Sequence, residues 1–127
     1  MAYSNYYIGD ALIRIKNACM AKQTEVVVPN TKIVRAVMEV LKREKFVESV
    51  NSREGGLEVK LKTKKGQSLV TDIKLMSKPG RRLYLTRAQI KAKKGFATLI
   101  LSTSKGVKSG KEALKENQGG ELIAEVS

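Results

Sequence analysis

Apolar residues recur along this chain at two spacings, helical and alternating. Ile8, Leu12, Ile15 and Cys19 recur at helical spacing, with Asp10, Arg14 and Asn17 on the other face, which predicts a first amphipathic helix. The β-branched run Val26-Val27-Val28 predicts a short strand, stopped by Pro29. Asn30 or Thr31 caps a second helix, whose stripe is Ile33, Val34, Val37, Val40 and Leu41. Phe46 to Val50 reads as a strand and Gly55-Gly56 as a turn. Leu57, Val59 and Leu61 then alternate with Glu58, Lys60 and Lys62, the period of a half-buried strand. A turn at Lys64-Lys65-Gly66 leads to a further strand near 69–75.

The apolar pattern breaks at Ser77-Lys78-Pro79-Gly80-Arg81-Arg82, where Pro-Gly is a strong turn signal. Beyond it, Leu83-Tyr84-Leu85 restarts a strand. Thr86 with Gln89 fits a capping box for a short basic helix, ended by Gly95. Ala97 to Leu101 is nearly all apolar, as a strand buried on both faces requires. It runs into Ser102-Thr103-Ser104-Lys105-Gly106. Ser109 with Glu112 is a second capping box, Gly119-Gly120 a turn, and 121–126 a last strand. The pattern predicts an α+β protein of two small subdomains. The N-terminal one (1–76) reads α-β-α-β-β(-β). A linker (77–82) joins it to a C-terminal one (83–127), mainly antiparallel β with short helices.

Composition narrows the function. The 127 residues include 25 Lys and Arg against 12 Asp and Glu, a net charge of +13, with no His or Trp and one Cys. A His-based triad and a Cys/His zinc site are impossible. One thiol allows no internal disulfide and suits a reducing cytosol. No apolar run approaches the ~20 residues of a membrane span, and the N-terminus shows no signal-peptide block. The charge is also uneven. Residues 1–72 carry +5, residues 73–111 carry +11 without one carboxylate, and residues 112–127 carry −3. A lipid partner would favour a basic amphipathic helix or a polybasic tail. These charges lie instead among strands and turns, which points to a nucleic acid.

Enzymatic motifs are weak. Gly106 to Lys111 has one residue too few between its glycines for a phosphate-binding loop, and Glu112 stands where the Mg²⁺-binding hydroxyl belongs. Ser102 to Lys105 matches Ser-x-x-Lys without its companion motifs. Asp10 and Asp72 read as surface or helix-terminus residues. Tyr3, Tyr6 and Tyr7 suit base stacking or an N-terminal clamp equally well. The Ser102–Gly106 loop follows a rigid strand and offers three hydroxyls, a cation and an accessible backbone. That set suits an irregular RNA, read by shape and 2′-OH, and it also suits a plain polar turn. A DNA-compacting protein is the competing class, but no helix here presents one clean basic face.

The residues also resemble a known family. Leu101-Ser102-Thr103-Ser104-Lys105-Gly106-Val107, then a short helix and Gly119-Gly120-Glu121-Leu122, is similar to the signature of the small-ribosomal-subunit protein eight family, bacterial type. Met76 to Tyr84 resembles that family's linker and following strand, and Ile8 to Ala18 its first helix. Val28 to Lys32 and Val40 to Glu44 follow in the same order. The resemblance implies a non-enzymatic constituent of the small subunit that binds the central domain of its rRNA and supports assembly and the platform. It implies a place in a cytoplasmic or organellar ribosome beside ribosomal proteins five and twelve, with no cofactor, small-molecule substrate or membrane. By position it implies RNA contacts from Ser102, Thr103, Ser104, Lys105 and Gly106. It adds Gly119, Gly120, Glu121 and Tyr84, the basic Lys78, Arg81 and Arg82, and Arg14 and Asn17 of the first helix. Glu121 suits either base amino groups and 2′-OH or nearby backbone donors. Three positions depart from the family pattern. Tyr6-Tyr7 stands where Asp-Pro is usual, Gly110 where an acid opens the short helix, and Ser127 where Trp is frequent.

Overall fold

Helix α1 (Tyr7–Met20) turns Ala11, Leu12, Ile15 and Ala18 inward. The computed structural model describes residues 7–78, 80–93, 95 and 97–127, so Tyr3 and Tyr6 lie outside the described residues. Strand β1 (Glu25–Val28) follows α1 and leads to α2 (Lys32–Arg43). Thr31 is the cap, its Oγ1 accepting from the Val34 N–H at 3.2 Å. Strands β2 (Val47–Arg53) and β3 (Gly56–Leu61) complete an antiparallel sheet ordered β1-β3-β2. Both helices pack their apolar stripes into one core with this sheet, around Leu12, Ile15, Met38, Leu41 and Leu57.

The strand expected near 69–75 is mostly absent. A small hairpin, β4 (Thr63–Lys64) and β5 (Gln67–Ser68), comes first, and only β6 (Ile73–Leu75) follows. Residues between them are held by other partners. Ser68 Oγ accepts from the Val70 N–H, and the Thr71 and Asp72 N–H groups donate to the Ser127 carbonyl at 2.6 and 3.1 Å.

The second sheet is built on the last strand. After β7 (Tyr84–Leu85) and α3 (Arg87–Ala92) come β8 (Thr98–Thr103), β9 (Gly106–Ser109), α4 (Gly110–Lys115) and β10 (Gly120–Val126). Both predicted capping boxes are present, Thr86 with Gln89 and Ser109 with Glu112. Gly95, expected to end α3, lies three residues beyond its last residue. The sheet runs β6-β10-β8-β9, with β7 also on β10. One face of β8 packs Ile100 into the core shared with α1 and α2. The other packs Leu99 and Leu101 with Ile90, Ala113 and Leu122 under α3 and α4. Burial on both faces explains the unbroken apolar run.

Strand β6 falls within 1–76 by sequence but pairs with β10, Ile73 opposite Val126. Beyond β6, the Lys78 and Arg81 backbones are joined by two bonds of 2.9 Å, with Gly80 at φ +87°. The chain thus leaves β10 after β6 and returns to it as β7. Buried Ser77 fixes the base of the hairpin, its Oγ accepting from the Leu83 N–H at 2.9 Å.

Among the described residues, one ion pair ties the units together. Arg43 on α2 donates to both carboxylate oxygens of Glu112 on α4, at 2.9 and 3.1 Å. This hydrogen bond, aided by the Ser109 N–H, holds the Glu112 carboxyl below the usual carboxylate range against partial desolvation. The same bond raises Arg43. A depressed carboxylate adds stability above its unfolded pKa, and that stability is lost as pH falls through the folded value. Both side chains are partly exposed, so the pair contributes about 0.5–1 kcal/mol. In Arg43→Gln, stability near neutral pH should drop by that amount, and the gap to wild type should close in acid, below the ordinary range of Glu. Urea titrations at several pH values measure it. A gap that stays constant with pH would contradict the assignment.

Candidate nucleic-acid interface

The β8–β9 hairpin closes over Ser104 and Lys105, with Thr103 opposite Gly106 as its last pair. The turn fixes itself. Thr103 Oγ1 donates to the Gly106 carbonyl at 2.8 Å and accepts from the Lys105 N–H at 3.1 Å. Ser104 Oγ donates to Gln118 Oε1 at 2.8 Å, which binds the tip to the loop before β10. Gln118 carries no sequence signal, because its role exists only once two distant segments meet. The Ser102 hydroxyl has no partner among the described residues. Lys105 and Gly106 are exposed, and nothing lies within 4 Å of where a Gly106 side chain would start.

Gly119 and Gly120 let β10 enter between β7 and β8. A Cβ on Gly119 would stand 2.6 Å from the Leu85 carbonyl oxygen. One on Gly120 would collide with the Ser102 carbonyl and stand 3.1 Å from Thr103 Cγ2. Their role is closeness of backbones, with Gly120 already the first residue of β10. In register, Glu121 stands opposite Ser102 on one side and Tyr84 on the other. Opposed residues share a face, so Tyr84, Glu121 and Ser102 form one row across three strands. Tyr84 is 65% exposed, a flat apolar ring beside polar groups.

Glu121 pairs with Arg82 at 3.6 Å, and no backbone donor to it stands among the described residues. Lys78 and Arg81 stand exposed on the 78–81 hairpin. Arg14 and Asn17 are elsewhere, on α1. Arg14 bonds Asp10 at 3.1 Å and the Val27 carbonyl at 3.1 Å, and Asn17 is exposed. No described contact joins either residue to the tip.

Pairing of charges sharpens the field. Glu112, Glu116, Glu121 and Glu125 are engaged by Arg43, Lys108, Arg82 and Lys93. Lys74, Lys78, Arg81, Arg87, Lys91, Lys105 and Lys111 are exposed and pair with no described carboxylate. The acidic C-terminal segment therefore leaves this cationic surface uncompensated. Gly106 to Lys111 is strand and helix, so it forms no phosphate cradle. No described helix is long and apolar enough to cross a membrane.

The family model described as Ribosomal protein S8 matches residues 7–127. The small ribosomal subunit protein uS8 of Nitratidesulfovibrio vulgaris strain DP4 is 41% identical over 120 residues, covering 94% of this chain and 95% of the relative. That of Campylobacter fetus subsp. fetus is 40% identical over 128 residues, covering 96% and 98%. That of Streptococcus pneumoniae serotype 19F is 42% identical over 125 residues, covering 94% and 95%.

Proposed function

The chain belongs to the ribosomal protein S8 family, non-enzymatic constituents of the small ribosomal subunit that bind rRNA, and on that footing we propose that its β8–β9 tip selects the RNA site. The self-fixed turn at Thr103–Gly106, set among unpaired cations, is the observation that carries this reading. Residues 83–127 form the RNA-binding unit, and the 77–82 hairpin flanks it. Lys78, Arg81 and Lys105 neutralise phosphates and release counterions. With roughly six phosphate contacts, log K falls with log salt at about −0.9 per contact on a duplex. Ser102 and Ser104 reach sugar hydroxyls or base edges, while Gly106 lets the RNA backbone come close. Tyr84 supplies an apolar ring against the ribose or base. Glu121, held by Arg82, accepts from base amino groups or a 2′-OH and repels a wrongly shaped phosphate. Gly119 and Gly120 keep the row in register. Arg14 and Asn17 add a contact from α1.

The RNA region is the central domain of the small-subunit rRNA. The neighbours are ribosomal proteins five and twelve, in a cytoplasmic ribosome. A site read by shape suits a protein that fixes rRNA during assembly and in the platform.

Ser104→Ala tests the tip. It removes an exposed hydroxyl and its bond to Gln118, so the melting temperature should fall by no more than a few degrees. Specific affinity should fall by about 1–2 kcal/mol, the scale of one polar partner lost. Binding to random RNA should hold. Equal losses on cognate and random RNA would refute a selective role.

A further inference from the structure

A second cationic surface lies at the edge of the first sheet. Strands β1 and β2 begin there and β3 ends there. The Leu61 N–H donates to the Thr24 carbonyl at 2.7 Å and the Lys62 N–H to the Phe46 carbonyl at 3.1 Å. Those bonds gather three turns: the end of α1 with Lys22, the end of α2 with Lys45, and the β4–β5 hairpin with Lys62, Lys64 and Lys65. All five lysines are exposed, and none pairs with a described carboxylate. Glu25, Glu44 and Glu48 share this edge without pairing to them.

The backbone at three of these lysines is unusual. Lys22, Lys45 and Lys65 have φ of 60°, 69° and 55°. Both helices end in the same six-residue cap, with Gln23 N–H on the Ala18 carbonyl and Phe46 N–H on the Leu41 carbonyl. That cap favours Gly or Asn at its left-handed position. Lys65-Gly66 is a two-residue hairpin turn with both φ positive, where Asn-Gly is favoured. At all three places a lysine carries the steric penalty of the left-handed region. The dipole of a helix rewards a cation at its C-terminus, but the β4–β5 hairpin has no such dipole. At the end of α4, the uncharged Asn117 fills the same cap at φ 55°.

We propose that this edge is a second RNA-phosphate contact, taking a stretch of rRNA other than the one at the β8–β9 tip. The inference rests on the RNA-binding reading above. The turns expose the polar Gln23, Thr24, Thr63 and Gln67 beside the lysines, with Met20 and Leu69 the large apolar side chains exposed next to them. Five lysines among hydroxyls and amides outnumber these two, and point charges in such a setting suit phosphate and 2′-OH better than they suit the apolar centre of a protein interface. Distance supports separate stretches. Ser127, bonded to Thr71 and Asp72 just after the lysine hairpin, is one β10 length from the tip, roughly 20 Å.

The test is K22G/K45G/K65G, since glycine suits all three backbones and the fold is retained. Its melting temperature should equal or exceed that of wild type. Affinity for complete small-subunit rRNA near 0.1 M salt should fall roughly ten- to hundredfold, with a salt slope shallower by about two. Affinity for a short rRNA fragment carrying the tip site alone should stay at the wild-type value, and the triple Arg variant should bind both RNAs normally. Wild-type affinity and slope of the glycine variant on complete rRNA overturns the second contact, as does an equal loss on the short fragment. If wild-type protein shows no preference for small-subunit rRNA over arbitrary duplex, the tip reading fails and this inference falls with it. If that preference stands and the glycine variant matches it, the second contact fails alone.

Discussion

Gly120→Ala should destabilise the protein by about 2–4 kcal/mol and abolish selective RNA binding, the largest effect expected of any single methyl group in the C-terminal unit. The added carbon would collide with the Ser102 carbonyl, a backbone group in the middle of the sheet, and press on Thr103. Neither can move without breaking the β8–β10 register, in which Glu121 faces Ser102 and Leu122 faces Leu101. A displaced β10 would also pull Glu121 from beside Tyr84, since β7 pairs with the same two residues that open β10. Thermal unfolding should show a melting point lower by on the order of 10 °C. Filter binding at a temperature where the variant is still folded should show random and cognate RNA bound alike. Wild-type stability in Gly120→Ala would mean that β10 does not lie this close to β8.

Charge reversal on the 78–81 hairpin, Lys78→Glu with Arg81→Glu, should act in the opposite way. Both side chains are exposed, and the hairpin is closed by backbone bonds, so folding should be unaffected. Affinity near 0.1 M salt should fall by roughly 2–3 kcal/mol on cognate and random RNA alike, and the salt slope should flatten by about two. Phosphate contacts position a protein without reading sequence, which is why the loss should be uniform. A loss confined to cognate RNA would move these residues into the selecting set. No loss at all would turn the hairpin away from RNA. Together the two variants separate the parts of the interface: one destroys selection through geometry, the other lowers affinity through charge.

The sequence showed what depends on local chemistry. Thr86 with Gln89 and Ser109 with Glu112 form their capping boxes because each box closes within four residues. The run Leu99-Ile100-Leu101 marked a strand covered on both faces. Pro79-Gly80 marked a turn. That the strands on either side, β6 and β7, both pair with β10 depends on residues some forty positions later, and so was invisible. The stretch 69–72 looked like strand by composition, yet its backbone donors go to Ser127, at the far end of the chain. Among site residues, the Ser102–Gly106 tip and the glycine pair were legible as residue types. The attachment of Ser104 to Gln118, and of Glu121 to Arg82, required the fold. Of the second surface, the turn at Lys64-Lys65-Gly66 was legible, whereas Lys22 and Lys45 were visible only as charges, because their backbone angles come from helix ends that the sequence did not place.

Selection by a rigid tip within a field of free cations is tested most directly by chemical probing of small-subunit rRNA. The RNA is probed with and without the purified protein at moderate salt while duplex DNA is titrated in as competitor. One compact, irregular helical region should stay protected through a large excess of competitor, and Ser104→Ala should weaken that protection without spreading it. Protection scattered along the RNA, and erased by an equal mass of arbitrary duplex, would contradict selective recognition.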